Sequence, residues 1–282
     1  MLIKIPEQHK KAGISYAVTD DGMELPVIDV THPAFALQLT ESDLEELLQK
    51  HLRDQKEQAR MPAFLQRFFL GLMQRRSLLM RGIAASAGTF MSGIHTYILK
   101  LGPENLNSGY ASDIDRKIAA SLPGLSVRLR LQDIAFLLAE GLTPALGTDA
   151  KAALHLLNIG GGPAIDSLNA LIVLQKEHPG SLSGRQIVIH SLDLDSAGPS
   201  FGVQALAALL AEGAALHGLD IRFSHVNYNW SEPAALRELV NSFNDRNGVI
   251  VAASSEGALF EYGSDEEITA NLQALYETTP AE

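Results

Sequence analysis

The sequence predicts an α/β protein: a doubly wound, mostly parallel sheet in the C-terminal half, preceded by an α-helical domain with a small N-terminal hairpin. Three observations lead to this fold class. After residue 151, apolar strand-like runs alternate with stretches of helical length. One of these runs ends at three consecutive glycines, Gly160 to Gly162. Between residues 40 and 142, apolar residues recur mainly at helical spacing. We therefore assign residues 1–145 to the hairpin and helical domain and residues 151–282 to the α/β domain.

The N-terminal half is predicted to form one hairpin and several helices. Residues 14–30 contain two β-rich runs around the turn dipeptide Asp21-Gly22. Helices are expected over residues 40–60, 63–80, 113–120 and 126–142, with a segment rich in small residues over 82–101. The first helix carries an apolar stripe of Leu44, Leu47, Leu48 and Leu52, and the second is expected to bury Phe64, Phe68, Phe69, Leu72 and Met73. Residues 143–150, TPALGTDA, have the composition of a linker.

Two polar pairs in this half are open to two interpretations. His95 and Tyr97 lie in the segment rich in small residues, where packed side chains are the commoner outcome and a contact with a ligand is the other. Arg128 and Arg130 lie in a helical pattern. They would either bridge to acidic groups of the second domain, which we favour, or bind a substrate carboxylate.

The C-terminal half is predicted to contain four parallel strands joined by helices. We expect strands over residues 152–159, 186–192, 220–226 and 248–253, and helices over 163–178, 200–217, 232–244 and 265–276. Strands that alternate with helices form parallel sheets with right-handed crossovers. Such sheets bind ligands at the carboxyl ends of their strands, beside the point where the strand order reverses.

The glycine turn after the first of these strands is the strongest local signal. Glycines allow a sharp turn and let a ligand approach the backbone without a Cβ in the way. Pro163 is expected at the first helical position, where it costs no intrahelical hydrogen bond. The free N–H groups and the positive end of the helix dipole would then face a ligand. A tight turn with no ligand is the alternative.

The second strand, IVIHSLDLD, ends in the carboxylates Asp193 and Asp195. An acid at the tip of the second strand is where doubly wound folds bind ribose hydroxyls. From residue 152 onward the sequence resembles the class I S-adenosylmethionine (SAM)-dependent methyltransferases, a Rossmann-like family. Gly160 and Gly162 match the glycines of the family's first motif, and Asp193 matches its ribose-binding acid. Asn158 stands where the family usually has Asp or Glu, and we count four strands where its sheet normally has seven.

The resemblance implies a cofactor site built from strand ends and a methyl-transfer site beside it. The expected SAM contacts are Asn158, Gly160, Gly161, Gly162, Asp193, Asp195, Asn227, Tyr228, Asn229, Ser254 and Ser255. In the family, the loop after the third strand flanks the adenine, so Tyr228 or Trp230 would stack on that ring. The loop after the fourth strand faces the transferred methyl group. Glu256 and Tyr262 are therefore our candidate catalytic residues, with Glu261 as a further contact.

Composition excludes several other classes of protein. The formal net charge of −11 argues against nucleic-acid and anionic-membrane partners. The absence of cysteine excludes disulfides, thiol nucleophiles and cysteine-ligated metals. The histidines show no metal-binding spacing. The first residues carry no apolar run long enough for a signal peptide, and no stretch reaches the roughly 18 apolar residues of a membrane helix, so we expect a cytoplasmic protein.

The favoured function is therefore SAM-dependent methyl transfer to a small-molecule acceptor. An NAD(P)-dependent oxidoreductase fits less well, because Ile165 stands where the third glycine is required and Asp193 lies well beyond the expected spacing of about 20 residues. Two other hypotheses stay open. One is aminocarboxypropyl transfer from SAM, by analogy with the two-domain architecture of nicotianamine synthase-like enzymes. The other is a non-catalytic nucleotide-binding module. The helical domain is a candidate homodimer interface.

Overall fold

The computed structural model describes residues 2–86, 90–149, 151–244 and 248–279. The chain begins with the predicted hairpin, in which β1 (Tyr16–Val18) pairs antiparallel with β2 (Glu24–Pro26). Gly22 adopts a φ of 88° in the connecting turn, a conformation that favours glycine. The hairpin packs against the later helices through buried Ala17, Leu25 and Val27.

In the described residues between the hairpin and the sheet lie the α-helices α1 (Glu41–Arg60), α2 (Ala63–Arg76), α3 (Leu78–Ala85), α4 (Gly93–Lys100), α5 (Asp113–Ala119) and α6 (Leu122–Thr148). The predicted helix over 63–80 is in fact two helices. Ser77 has an extended backbone, and its hydroxyl accepts a hydrogen bond from the backbone N–H of Met80, which caps α3. The expected burial of α2 is wrong for Phe64, which is 70% exposed, and for Leu72, also exposed. The side chains of Phe68 and Phe69 lie outside the described residues.

The predicted linker over residues 143–150 is also wrong, because α6 continues without a break to Thr148. Pro144 lies inside this helix, where it removes one backbone hydrogen bond. Leu142 and Leu146 are buried on either side of it and pack into the core with α7 (Ile165–Glu177). Burial of this apolar face outweighs the lost hydrogen bond at the proline. The local sequence pattern does not reveal this burial, because it depends on packing against α7.

The C-terminal half forms the predicted parallel sheet. Its strands are β3 (Ala153–Ile159), β4 (Gln186–Asp193), β5 (Asp220–Asn227) and β6 (Val249–Ser254), in the order β5-β4-β3-β6. The strand order therefore reverses between β3 and β6, which are direct neighbours. The remaining helices are α8 (Ala197–Leu210), α9 (Ala234–Asn244), α10 (Ala258–Tyr262) and α11 (Asp265–Thr278).

Helices cover both faces of the sheet. Leu154 and Leu156 of β3 point into a large core that also contains residues of the helical half, such as Tyr97 and Leu131. Leu157 points to the other face, where α9 and α11 cover it. Successive side chains of a strand point to opposite faces, so β3 is buried on both sides. One apolar core thus runs from the helical half into the sheet.

Several helix boundaries differ from prediction, and one helix was missed. The helix α6 begins at Leu122 rather than at residue 126. Pro163 is not the first helical residue, because α7 begins at Ile165 after Ala164 adopts a left-handed φ of 50°. The helix predicted over 200–217 begins at Ala197 and ends at Leu210. The short α10 was not predicted. Within the described ranges, none of the helices is long and apolar enough to cross a membrane.

Candidate functional site

A pocket opens at the carboxyl ends of the strands, beside the reversal between β3 and β6. It brings together eight of the predicted site residues: Gly160, Gly161, Gly162, Asp193, Asp195, Tyr228, Glu256 and Tyr262. The helical half supplies the opposite wall, which includes Gly93 and Lys100 of α4 and Arg130 of α6. The pocket therefore lies between the two halves of the chain.

Each glycine of the turn is required by internal packing. A Cβ on Gly161 would lie 1.1 Å from Asn158 Oδ1, and a Cβ on Gly160 would lie 2.6 Å from the Cβ of Ala258. Gly160 and Gly162 also adopt positive φ angles of 62° and 49°. The turn is thus tightly built whether or not a ligand approaches it.

The first residue of α4 rests directly on this turn. A Cβ on Gly162 would lie 2.9 Å from the Cα of Gly93, and a Cβ on Gly198 would lie 2.8 Å from the Cα of Gly162. Three backbone segments, namely the turn after β3 and the starts of α4 and α8, therefore meet without intervening side chains. This contact holds α4 against the sheet and places its residues in the pocket wall.

Asp193 joins the end of β4 to the glycine turn. Its Oδ2 accepts a hydrogen bond from the backbone N–H of Gly162 at 2.8 Å, and its Oδ1 accepts one from the N–H of Asp195 at 2.9 Å. Burial raises the pKa of the Asp193 carboxyl, an effect that these two hydrogen bonds oppose. Asp195 Oδ1 accepts from the N–H of Ala197, whereas its Oδ2 is buried with no hydrogen-bond partner among the described residues.

Asn158 lies beneath the turn rather than in the pocket lining. Its side chain is completely buried, and its amide donates to Asp166 Oδ1 in the first turn of α7 and, at 3.1 Å, to Ser254 Oγ. Ser255 Oγ donates to the carbonyl of Ile159 at 2.9 Å. These three predicted contact residues connect β3, β6 and α7 and support the site from below.

The residues after β5 divide into an outer and an inner set. Asn227 and Asn229 do not line the pocket. Asn227 is exposed, and Asn229 Oδ1 accepts a hydrogen bond from the N–H of Ser231. Tyr228 is buried, and its hydroxyl donates to Asn271 Oδ1 at 2.5 Å. Burial raises the pKa of Tyr228 to about 12, so this phenol stays protonated at neutral pH.

Three aromatic side chains form one side of the pocket. The ring of Phe90 lies 5.6 Å from that of Trp230 and 6.3 Å from that of Tyr262, between centroids, and both pairs are tilted. The ring of Trp230 also lies beside the glycine turn: a Cβ added to Gly160 would be 3.3 Å from it. Because the rings are tilted against each other, each of them offers its own apolar face to a planar group.

A cluster of charges connects the helical half to the loop after β6. Lys100 Nζ lies 2.5 Å from Glu256 Oε2, and Arg130 Nε lies 3.5 Å from Glu256 Oε1. Arg130 also pairs with Glu261 of α10. Burial raises the pKa of Glu256, while the neighbouring ammonium of Lys100 acts in the opposite direction. Glu256 Oε1 forms no hydrogen bond within the described part of the chain.

Sequence reasoning missed the contribution of α4 to the site. Lys100 is the last residue of the mostly apolar helix α4, and no sequence motif around it indicates that it lines a pocket. Arg128 and Arg130 were expected to bridge to acidic groups of the C-terminal half. Arg130 does so, whereas the prediction is wrong for Arg128, which forms no ion pair within the described residues and lies against Gly102 in the helical half. Gly257 was missed as well: it has a φ of 97°, and a Cβ there would lie 2.6 Å from the guanidinium carbon of Arg130.

His95 and Tyr97 form contacts within the protein. His95 Nδ1 lies 2.8 Å from Ser92 Oγ, and burial lowers the pKa of this imidazole. Tyr97 is fully buried, and its hydroxyl donates to the carbonyl of Pro26 while accepting from the N–H of Ile28. Tyr97 therefore fixes the hairpin to α4.

Comparisons with known proteins do not assign the chain to a family. No protein-family model matches it, and neither does any of the curated proteins searched. In the described ranges, no three His, Asp or Glu side chains are grouped so as to hold a metal ion. The functional argument therefore rests on the pocket itself.

Proposed function

We propose that the chain binds SAM in this pocket and transfers its methyl group to a small-molecule acceptor, with the C-terminal half acting as a Rossmann-like cofactor domain. The observation that carries the proposal is Asp193, which lies at the tip of β4 and is bonded to the glycine turn beside the reversal of strand order. Ligands of open parallel sheets bind at this position, and an acid at the tip of this strand suits ribose hydroxyls.

The charges of the pocket favour a cationic cofactor over a dinucleotide. Its lining carries four carboxylates, Asp193, Asp195, Glu256 and Glu261, against the two cations Lys100 and Arg130. The N–H of Gly162 already donates to Asp193, and the buried Asp166 lies in the first turn of α7. A pyrophosphate would meet these carboxylates where it needs free N–H groups. The ammonium and sulfonium of SAM would instead find opposite charge.

Individual residues fit the parts of SAM. Asp195 Oδ2 is buried and has no hydrogen-bond partner among the residues that the structure describes, so it can accept a hydrogen bond from a hydroxyl or ammonium group. Asp193 uses each carboxylate oxygen once and keeps further lone pairs for ribose hydroxyls. Trp230 and Phe90 present rings on which adenine would stack. Bound SAM would supply a methyl group on a positively charged sulfur, which needs no further activation.

The remaining task of the protein is to place the acceptor and to receive its proton. Glu256 is the group we assign to that role, since its side chain is part of the pocket lining and its buried Oε1 forms no hydrogen bond within the described residues. Lys100 and Arg130 favour its anionic form, the form that accepts a proton. Tyr262 is 53% exposed at the pocket, where it would contact the acceptor.

Calorimetric titration tests the proposal. We expect SAM and S-adenosylhomocysteine to bind and NADH not to bind. The Asp193→Ala variant should bind SAM at least tenfold more weakly, whereas Asp133→Ala, which removes an exposed carboxylate from α6, should bind it normally. Because Asp193 also accepts the backbone N–H groups of Gly162 and Asp195, thermal unfolding of the Asp193→Ala variant followed by circular dichroism separates loss of the cofactor contact from loss of folding. If the wild-type protein binds neither SAM nor S-adenosylhomocysteine, the proposal is wrong.

The product distinguishes the kinds of group transfer. Methyl transfer leaves S-adenosylhomocysteine, whereas aminocarboxypropyl transfer leaves methylthioadenosine. Incubation with SAM and a panel of small amines, phenols and carboxylic acids, followed by mass spectrometry, identifies which nucleoside forms. If methylthioadenosine is the only nucleoside product, the proposal of methyl transfer is wrong and the reaction is aminocarboxypropyl transfer. SAM binding with neither product across the panel would favour a non-catalytic module.

A further inference from the structure

A groove lies beside α6, on a different side of that helix from the pocket at the strand ends. Its volume is about 470 Å³, which is within the range of small-molecule sites. Leucines, alanines and prolines from residues 33–47 and 103–125 form most of its lining, and three charged side chains complete it: Lys11, Glu104 and Arg128. Arg130 lies two residues after Arg128, about 200° further around α6, and lines the pocket instead.

Arg128 and Arg130 have similar surroundings but different partners. A Cβ on Gly102 would lie 2.6 Å from Cζ of Arg128 and 2.8 Å from both Nη atoms, so the guanidinium lies flat against this glycine. Gly257 covers one face of the Arg130 guanidinium in the same way. In both residues the N–H groups lie in the uncovered plane. Arg130 forms two ion pairs, whereas Arg128 forms no ion pair and no hydrogen bond within the part of the chain that the structure describes.

The other two charges of the groove leave the charge of Arg128 uncompensated. Lys11 Nζ donates to the carbonyl of Glu104 at 3.3 Å and to Asn105 Oδ1 at 2.6 Å. The Glu104 side chain is exposed and forms no ion pair with Arg128. Burial lowers the pKa of the Arg128 guanidinium, an effect that Glu104 opposes, and an arginine stays protonated in either case. A half-buried cation without a partner is unfavourable, so an anion in the groove would be stabilised.

We infer that this groove binds a small carboxylate with an aliphatic chain. The two oxygens of its head group accept two parallel hydrogen bonds from Arg128, and its chain lies against the leucines of the lining. A carboxylate carries one negative charge, which matches the one unpaired cation. A phosphate dianion would bring a second negative charge close to Glu104. An alcohol or an amine would leave Arg128 without a counterion. The site does not depend on the identity of the cofactor, which is assigned to the other side of α6.

Calorimetric titration of the full chain with butanoate, hexanoate and octanoate tests the inference. Octanoate should bind, and affinity should rise roughly fourfold for each added methylene group, because the chain leaves water for an apolar lining. Three compounds with the same chain test the head group. Octanol should bind at least tenfold more weakly than octanoate, octylamine should not bind, and octyl phosphate should bind more weakly than octanoate.

Three variants assign the binding to this groove. Arg128→Gln should weaken octanoate binding at least tenfold, whereas Arg76→Gln, which removes an exposed guanidinium from α2, should leave it unchanged. Glu104→Gln removes the opposing charge and should tighten binding, a gain that loss of folding cannot produce. A wild-type protein that does not bind octanoate would overturn the inference. So would octanol or octyl phosphate binding as tightly as octanoate, or a folded Arg128→Gln protein, checked by circular dichroism, that binds octanoate normally.

Discussion

Alanine at Gly93 tests the contact that holds the helical half on the glycine turn. Gly93 is the first residue of α4 and has a negative φ, so its backbone conformation suits any residue. Only its surroundings exclude a side chain. A Cβ would lie 2.9 Å from the Cα of Gly162 and 3.4 Å from the Cα of Gly198. Both neighbours are backbone atoms, so α4 must move away from the turn by a few tenths of an ångström or more.

The expected change in stability is the balance of two opposing effects. Forcing a methyl group into a packed site costs about 1–3 kcal/mol. Replacing glycine by alanine in a helix returns up to about 1 kcal/mol. We therefore expect Gly93→Ala to lower the free energy of unfolding by about 1–2 kcal/mol. Gly141→Ala is the matched control, because Gly141 lies in α6 with nothing within 4 Å of the added methyl group. That variant should gain about 0.5–1 kcal/mol.

Thermal unfolding followed by circular dichroism measures the difference. At roughly 2–4 °C per kcal/mol for a chain of this size, a difference in stability of about 1.5–3 kcal/mol separates the Tm values of the two variants by about 3–12 °C, with Gly93→Ala the lower. Because α4 forms one wall of the pocket, Gly93→Ala should also weaken binding of SAM, whereas Gly141→Ala should not. A Gly93→Ala protein as stable as Gly141→Ala would refute the direct backbone contact between α4 and the glycine turn.

Two further predictions concern buried ionisable side chains. Arg185 is almost fully buried, and among the described residues its guanidinium donates to four backbone carbonyls, those of Leu146, Asp149, Ala152 and Ser181. Arg185→Ala leaves these acceptors unpaired and should lower the free energy of unfolding by about 3–5 kcal/mol. Urea titration measures this loss, and a loss below about 1 kcal/mol would contradict the prediction. Burial and the neighbouring His155 lower the pKa of His190 to about 4 from its ordinary 6.5. Between pH 6.5 and pH 4, His190 binds a proton in the unfolded chain but not in the native protein. The free energy of unfolding should therefore fall as the pH drops through this range, by at most about 3 kcal/mol. His190→Gln should flatten this dependence, and an unchanged pH slope would exclude His190 as its source.

Much of the sheet could be predicted from the sequence because its signals are local. Each strand of the C-terminal half is a short apolar run, and three consecutive glycines, Gly160 to Gly162, disfavour a regular strand or helix at the end of β3. The predicted strands agree with the observed ones to within a residue at each end. Predictions failed where distant contacts outweigh local preference. The helix α6 runs through Pro144 because Leu142 and Leu146 are buried against α7, and Phe64 is exposed although its spacing suggests burial.

The sequence by itself determined that strand ends would supply a glycine turn and two carboxylates, because the ends of parallel strands meet at one edge of a sheet. It did not determine what faces them. The tertiary structure places Lys100 and Arg130 beside Glu256, from elements more than a hundred residues earlier in the chain. It also places Asn158 beneath the turn, where its amide bonds to Asp166 and Ser254. The physical reason is that hydrogen bonds and ion pairs between distant segments depend on how helices and sheet pack, and no local pattern of residues encodes that packing.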